Sequence, residues 1–157
     1  MKEAVVRVVE ALEAAGVQTQ VTEFAESTRT AEDAAAAVGC TIGQIVKSLV
    51  FLAGETPILA LVSGANQADT DRLAKVAGAP ISRASAAIVR EATGYAIGGV
   101  PPLGHATRLR TYLDRNLLQY DTIWAAAGTP NAVFSITPVE LQRVTDAEPV
   151  DLAVFRA

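Results

Sequence analysis

Cysteine and histidine are scarce in this sequence, which has one of each in 157 residues, Cys40 and His105. A single thiol excludes a disulfide within the chain, and one Cys with one His cannot form the usual four-ligand zinc site. A Cys40/His105 nucleophilic pair is conceivable, but Cys40 follows Gly39 at a predicted helix end, where a half-buried structural thiol is more common. We expect no metal and no cofactor.

Long apolar runs and an excess of positive charge are also missing. No run of about 18 apolar residues and no charged-then-apolar leader is present, so we expect a cytoplasmic protein with no membrane partner. The formal net charge of −4 argues against a protein that coats long DNA, although it does not exclude binding one short nucleic-acid end. The length fits one domain over residues 1–157.

One lysine lies within an otherwise apolar or small segment, Ile45 to Ala53. Successive side chains of a strand alternate between its faces, so here both faces are largely apolar, as in a strand covered on both sides. The ammonium of Lys47 then needs a partner, a water-filled cleft or a lowered pKa, because its unpaired burial costs several kcal/mol. A lysine that reaches water at the rim of the sheet is the alternative.

Helix and strand patterns alternate along the chain. Apolar spacing, N-caps and glycine stops predict helices over 2–15, 31–38, 69–77, 85–92 and 137–144. Alternating or continuous apolar residues predict strands over 18–24, 45–53, 58–63, 80–82, 111–114, 122–127 and 132–136, the first at a sheet edge. Hairpins and crossovers both occur in this order, which predicts an α/β or α+β domain with a mixed sheet.

Glycine and proline are concentrated in one segment, Gly98-Gly99-Val100-Pro101-Pro102-Leu103-Gly104-His105. The glycines permit positive φ or close approach of a ligand, and the two prolines fix the path between them. The spacing fits neither a phosphate-binding P-loop nor a dinucleotide fingerprint. A ligand-binding loop and a tight connection between strands both stay open on these residues alone.

Three segments together carry a resemblance to a known family: Ile45 to Phe51 (IVKSLVF), Leu61 to Gly64 (LVSG) and Thr93 to His105 (TGYAIGGVPPLGH). With them the chain resembles a free-standing YbaK-type prolyl-tRNA editing domain along nearly its whole length. The resemblance implies a trans-acting aminoacyl-tRNA deacylase, which hydrolyses the ester between a wrong amino acid and the terminal adenosine of a tRNA, typically proline tRNA. It implies small substrates: alanine, cysteine, serine, threonine or 2-aminobutyrate. Prolyl-tRNA synthetase and an elongation factor are candidate partners.

The resemblance also implies site residues. Lys47, Gly98 and Gly99 take the catalytic positions, with Lys47 holding a phosphate or carbonyl oxygen and the glycine N–H groups facing the ester. The implied substrate-binding residues are Ser63, Gly64, Val100, Pro101, Pro102, Gly104, His105, Gly128 and Asn131. Ester hydrolysis needs an attacking water, a stabilised oxyanion and a fixed substrate, none of which requires a metal.

Two positions leave the source of a base open. Many relatives are expected to have histidine where this sequence has Asn131, so a second potential base is missing. The resemblance is consistent with a hydroxyl of the tRNA that positions the water, and activation by a protein group stays open. His105 either assists or packs the loop.

Arg108, Arg110 and Arg115 closely follow the glycine-rich loop and are the expected contacts to tRNA phosphates, with an ordinary solvated surface as the alternative. Two other classes of function stay open. A non-catalytic module would bind the tRNA end without turnover, and a small-molecule amidase or esterase would act on free aminoacyl esters without tRNA.

Overall fold

A mixed β-sheet organises the chain in the computed structural model, which describes residues 2–26, 28 and 30–153. Its strands are β1 (Val21–Glu23), β2 (Ile45–Ala53), β3 (Thr56–Ser63), β4 (Ile81–Arg83), β5 (Arg110–Asp114), β6 (Ile123–Ala126), β7 (Ala132–Ile136) and β8 (Glu148–Val150). The neighbour order is β1-β7-β6-β2-β3-β5-β8, and β4 pairs with β2 outside this path. Antiparallel hairpins β2–β3 and β6–β7 combine with parallel pairs such as β3–β5, so the predicted mixed sheet is confirmed.

Five α-helices occur within the described ranges: α1 (Glu3–Ala14), α2 (Ala31–Val38), α3 (Thr70–Ala77), α4 (Ala86–Thr93) and α5 (Pro138–Thr145). Local sequence sets their ends, because N-cap side chains accept the first backbone N–H bonds. These caps are Thr30, Asp69, Ser85 and Thr137. None of these helices is long and apolar enough to cross a bilayer.

Two layers cover the sheet. Side chains of β3 alternate, so Leu59 and Leu61 pack in the cluster that contains Val5 and Val8 of α1 and Val89 of α4. Ile58, Ala60 and Val62 pack on the other face with Leu73 of α3. A smaller cluster joins Ala34 and Ala35 of α2 to Ile45.

The sheet has a gap beside β2. On one edge β2 pairs with β3 over residues 46–53. On the other edge it pairs with β6 only at Ile45 and Val46, and with β4 only from Phe51 to Ala53. Within the described part of the chain, no strand pairs with residues 47–50 on this edge. These four residues are half-buried because this edge is open. Both faces of β2 are nevertheless covered, since Val46 and Val50 pack in one core cluster and Leu49 and Phe51 in the other, as the apolar pattern predicts.

Candidate active site

A cleft of about 790 Å³ opens at this gap. The described lining residues with hydroxyl, amide or charged side chains are Thr28, Thr30, Lys47, Ser48, Gln67, Thr70, Ser82 and Arg83. None of the described lining residues is Asp or Glu. The described lining therefore includes two cationic side chains in a protein of net charge −4, and suits an anionic ligand.

Lys47 is held by the chain that leaves β3. Its Nζ donates a hydrogen bond to the carbonyl oxygen of Asn66. The Asn66 side chain in turn donates to Asp114 Oδ2 at 2.9 Å. Burial lowers the pKa of Lys47, and the negative charge of Asp114 acts in the opposite direction. The half-buried ammonium thus has both the partner and the cleft that its position in the sequence requires.

Asp114 is a buried carboxylate that the sequence analysis missed. It is 1 % exposed and lies at the end of β5. Its oxygens accept bonds from Ser63 N–H at 3.1 Å, Asn66 Nδ2 at 2.9 Å and Asn116 N–H at 3.0 Å. Asp114 therefore links the ends of the parallel strands β3 and β5 to Asn66, the residue that accepts the hydrogen bond from Lys47. The only signal in the sequence is an aspartate that ends an apolar strand.

The glycine-rich loop supplies another part of the cleft wall through Gly98 and Val100. The N–H of Gly99 donates to the carbonyl oxygen of Ala96 at 3.0 Å. This bond occupies the N–H that was predicted to face the ester, so a donor from this loop has to come from a neighbour such as Gly98 or Val100. Gly99 instead packs tightly, since a Cβ on it would lie 2.8 Å from Thr129 Cα.

His105 forms a hydrogen bond within the glycine-rich loop. Its Nε2 forms a 2.6 Å hydrogen bond with the carbonyl oxygen of Pro101. The imidazole contacts Tyr95 edge to face, and the Tyr95 hydroxyl donates to Gly104 O at 3.0 Å. Burial lowers the pKa of His105, which favours the neutral ring that can donate to a carbonyl. These contacts favour the packing role over an assisting one.

Most of the predicted substrate-binding residues lie outside the described lining of the cleft. Ser63 Oγ donates to Gly43 O at 2.7 Å, and a Cβ on Gly64 would lie 2.4 Å from Ile42 O. Gly128 packs against α1, and Asn131 Nδ2 donates to Phe24 O at 3.2 Å. These four residues hold the scaffold around the cleft, and their contact with substrate stays a prediction.

The predicted substrate-binding residues that follow Val100 in the loop also lie outside the described lining of the main cleft. Pro101 and Pro102 are buried. Pro102, Gly104 and His105 line a separate pocket of about 240 Å³. Of the predicted catalytic and substrate-binding residues, the structure brings only Lys47, Gly98 and Val100 into the described lining of the main cleft.

The three arginines predicted to contact tRNA have intramolecular partners. Arg108 and Arg115 form exposed ion pairs with Asp146 at 3.8 Å and Asp151 at 3.7 Å. The guanidinium of Arg110 lies over the Tyr112 ring at 5.3 Å from its centroid. The main cleft carries Arg83 of β4 instead, and nothing in the sequence singled this residue out.

The sequence model of the aminoacyl-tRNA editing domain family matches residues 25–144. The chain belongs to this family. A solved structure described as a trans-editing enzyme proposed for prolyl tRNA synthetase is 48% identical, with a TM-score of 0.95 and 99% of each chain covered. The predicted YbaK-like resemblance and fold are thereby confirmed.

Two curated relatives extend the comparison. EbsC of Enterococcus faecalis, the name of which proposes a Cys-tRNA(Pro)/Cys-tRNA(Cys) deacylase, is 31% identical over 138 residues, which are 80% of this chain and 84% of EbsC. A proline–tRNA ligase of Stenotrophomonas maltophilia is 32% identical over 135 residues, which are 82% of this chain and 24% of the ligase. The chain therefore corresponds to a minor part of that ligase.

Proposed function

We propose that this protein is a cytoplasmic aminoacyl-tRNA deacylase that acts in trans on proline tRNA carrying a small non-cognate amino acid. The observation that carries the proposal is the cleft at the sheet gap. Lys47 and Gly98 both line it, and none of its described lining residues is a carboxylate. Membership of the editing family supports hydrolysis of an aminoacyl ester. The likeness to EbsC and to proline–tRNA ligases supports proline tRNA as the carrier.

The cleft supplies charge and position for this reaction. The Lys47 ammonium attracts a phosphate or carbonyl oxygen of the bound acceptor end. The N–H groups of Gly98 and Val100, which have no backbone acceptor within the described residues, stabilise the oxyanion that develops on the ester carbonyl. No His, Asp or Glu is among the described lining residues, so a hydroxyl of the terminal adenosine positions the attacking water.

A panel of proline tRNAs charged with alanine, cysteine, serine, threonine, 2-aminobutyrate or proline tests the proposal. A methylene changes binding in an apolar pocket by about 1–3 kcal/mol, so rates across the panel should differ by factors of roughly ten to two hundred. We expect multiple-turnover release of at least one small amino acid and sparing of the prolyl ester.

The two other classes of function give different results in the same assay. Binding of the charged tRNA without turnover supports the non-catalytic module. Equally fast hydrolysis of free aminoacyl esters supports the small-molecule esterase. A pull-down with prolyl-tRNA synthetase or an elongation factor examines the proposed partners separately.

A further inference from the structure

The gap in the sheet presents main-chain groups of β2 to the cleft. Gly64 N–H donates to Ile45 O at 2.7 Å, so the polar groups of Ile45 point toward β3. These groups alternate along a strand, so those of Lys47 and Leu49 also point toward β3, and those of Ser48 and Val50 point into the gap. No strand of the described chain pairs with Ser48 or Val50 on that side. The edge thus offers N–H and C=O groups at two positions roughly 7 Å apart.

The Ser48 hydroxyl is a second unsatisfied group at this edge. Ser48 lines the cleft, and its buried Oγ has no hydrogen-bond partner among the described residues. Its side chain shares a face of β2 with Val46 and Val50, and Val46 packs in the cluster that contains Val100 of the loop. Buried polar groups without partners are uncommon and destabilising. Both observations mark this edge as a binding surface for polar groups of a ligand.

An esterified amino acid has the polar groups of one strand residue, an amine donor and a carbonyl acceptor. The described lining contains no carboxylate, so the cleft offers an α-ammonium only neutral acceptors. We propose that the aminoacyl group binds to the free edge of β2 as a one-residue strand. Its amino group donates to the Ser48 or Val50 carbonyl and to Ser48 Oγ, and its ester carbonyl accepts from an edge N–H.

This inference rests on the proposed function and names its substrate class: esters of α-amino acids with a free amino group. The first test compares proline tRNA charged with alanine, N-acetylalanine and lactate. Both analogues replace the charged ammonium with a weaker neutral donor, an amide N–H in N-acetylalanine and a hydroxyl in lactate, so kcat/KM should fall about tenfold. Equal hydrolysis of the alanyl and lactyl esters overturns the inference while leaving the deacylase proposal intact.

The Ser48→Ala variant should lower the rate for the alanyl ester more than the rate for the lactyl ester. The control is Ser135→Ala, at a half-buried serine of β7 outside the described lining of the cleft, which should leave both rates unchanged. An equal loss on both esters indicates a structural effect and contradicts the role of Ser48.

Amide hydrogen exchange provides a test that needs no hydrolysis. The probe is 3′-deoxy-3′-(L-alanylamino)adenosine, with its binding followed by Trp124 fluorescence, since this tryptophan lines the cleft. Exchange at one or both of the Ser48 and Val50 amides should slow, whereas Lys47 and Leu49, which face β3, should not change. Bound probe without any effect at Ser48 and Val50 overturns the inference. If the wild type hydrolyses none of the esters, the deacylase proposal fails and the exchange experiment decides this inference alone.

Discussion

The charge of Asp114 influences the pKa of Lys47. Burial lowers the pKa of Lys47, and Asp114 opposes this shift. A reaction that needs the cation loses rate as pH rises through the lysine pKa, so the alkaline limb should lie below about 10.4, the value of a free lysine. Asp114→Asn removes the opposing charge and should move this limb to lower pH.

Single-turnover pH profiles, corrected for spontaneous ester hydrolysis, measure this effect. Asp121→Asn, at an exposed carboxylate, is the control and should not move the limb. An unchanged or upward-shifted limb in folded Asp114→Asn contradicts the linkage.

Two buried tyrosines should respond in opposite directions to loss of the hydroxyl. Tyr95 donates to Gly104 O, so Tyr95→Phe should cost about 1 kcal/mol of unfolding free energy. The buried Tyr112 hydroxyl has no partner within the described residues, so Tyr112→Phe should be neutral or stabilising by up to about 1 kcal/mol. Urea unfolding of both variants checks the prediction, and a larger loss in Tyr112→Phe contradicts it.

At the scale of elements, local signals predicted β2, β7 and most helix ends because caps, glycine stops and apolar spacing are encoded within a few neighbouring residues. The 3₁₀ helix Arg115–Gln119 and the short strand β8 were missed. The strand over 18–24 is in fact limited to Val21–Glu23. The gap beside β2 was also not predictable, because it depends on where two strands distant in sequence pair with one edge.

The contact between the glycine-rich loop and the β6–β7 hairpin makes Gly99 a packing residue. A Cβ there would lie 2.8 Å from Gly128 O, so Gly99→Ala should destabilise the fold by about 1–3 kcal/mol through overpacking. Gly78→Ala, at positive φ with open space around the Cβ position, should cost about 1–2 kcal/mol of unfolding free energy through backbone strain alone. Thermal unfolding of both variants measures the difference. A Gly99→Ala protein as stable as wild type but slow in deacylation contradicts the packing role.

At the scale of the whole molecule, the chain is acidic, whereas the described lining of its cleft includes Lys47 and Arg83 and no carboxylate. Arg83→Ala should therefore raise KM for mischarged tRNA several-fold and leave single-turnover chemistry at saturation nearly unchanged, since a phosphate contact holds ground and transition states alike. Alanine variants of Arg108, Arg110 and Arg115 test whether these residues contact the tRNA, as the sequence analysis predicts.

The affinity for tRNA should be measured for all variants over a series of salt concentrations. The logarithm of the binding constant should fall against the logarithm of the salt concentration with a slope of roughly −1 to −3, as for two to four neutralised phosphates.

The exposed Arg90 of α4 serves as the control, and its replacement should leave KM unchanged. A KM that rises in the Arg108 variant but not in the Arg83 variant contradicts the placement of the tRNA end along the main cleft.

The resemblance carried by IVKSLVF and the glycine-proline loop singled out Lys47, Gly98 and Val100, since both segments have a local pattern. All three line the cleft, and their roles in it stay predictions. Asp114, Arg83 and Ser48 were missed because each gains its position from strand ends or edges that meet only in the folded sheet. The sequence thus indicates which single residues carry useful chemistry, but it does not predict which residues lie beside them in the folded sheet.

The most direct measurement is the single-turnover rate at which Lys47→Ala deacylates alanyl-proline tRNA at saturating enzyme. The account predicts a loss of about a hundredfold or more, as for other preorganised charge contacts, with an unfolding temperature within a few degrees of wild type. Lys75→Ala, at an exposed lysine of α3, should keep the wild-type rate. A folded Lys47→Ala protein that retains near-wild-type turnover contradicts the central claim.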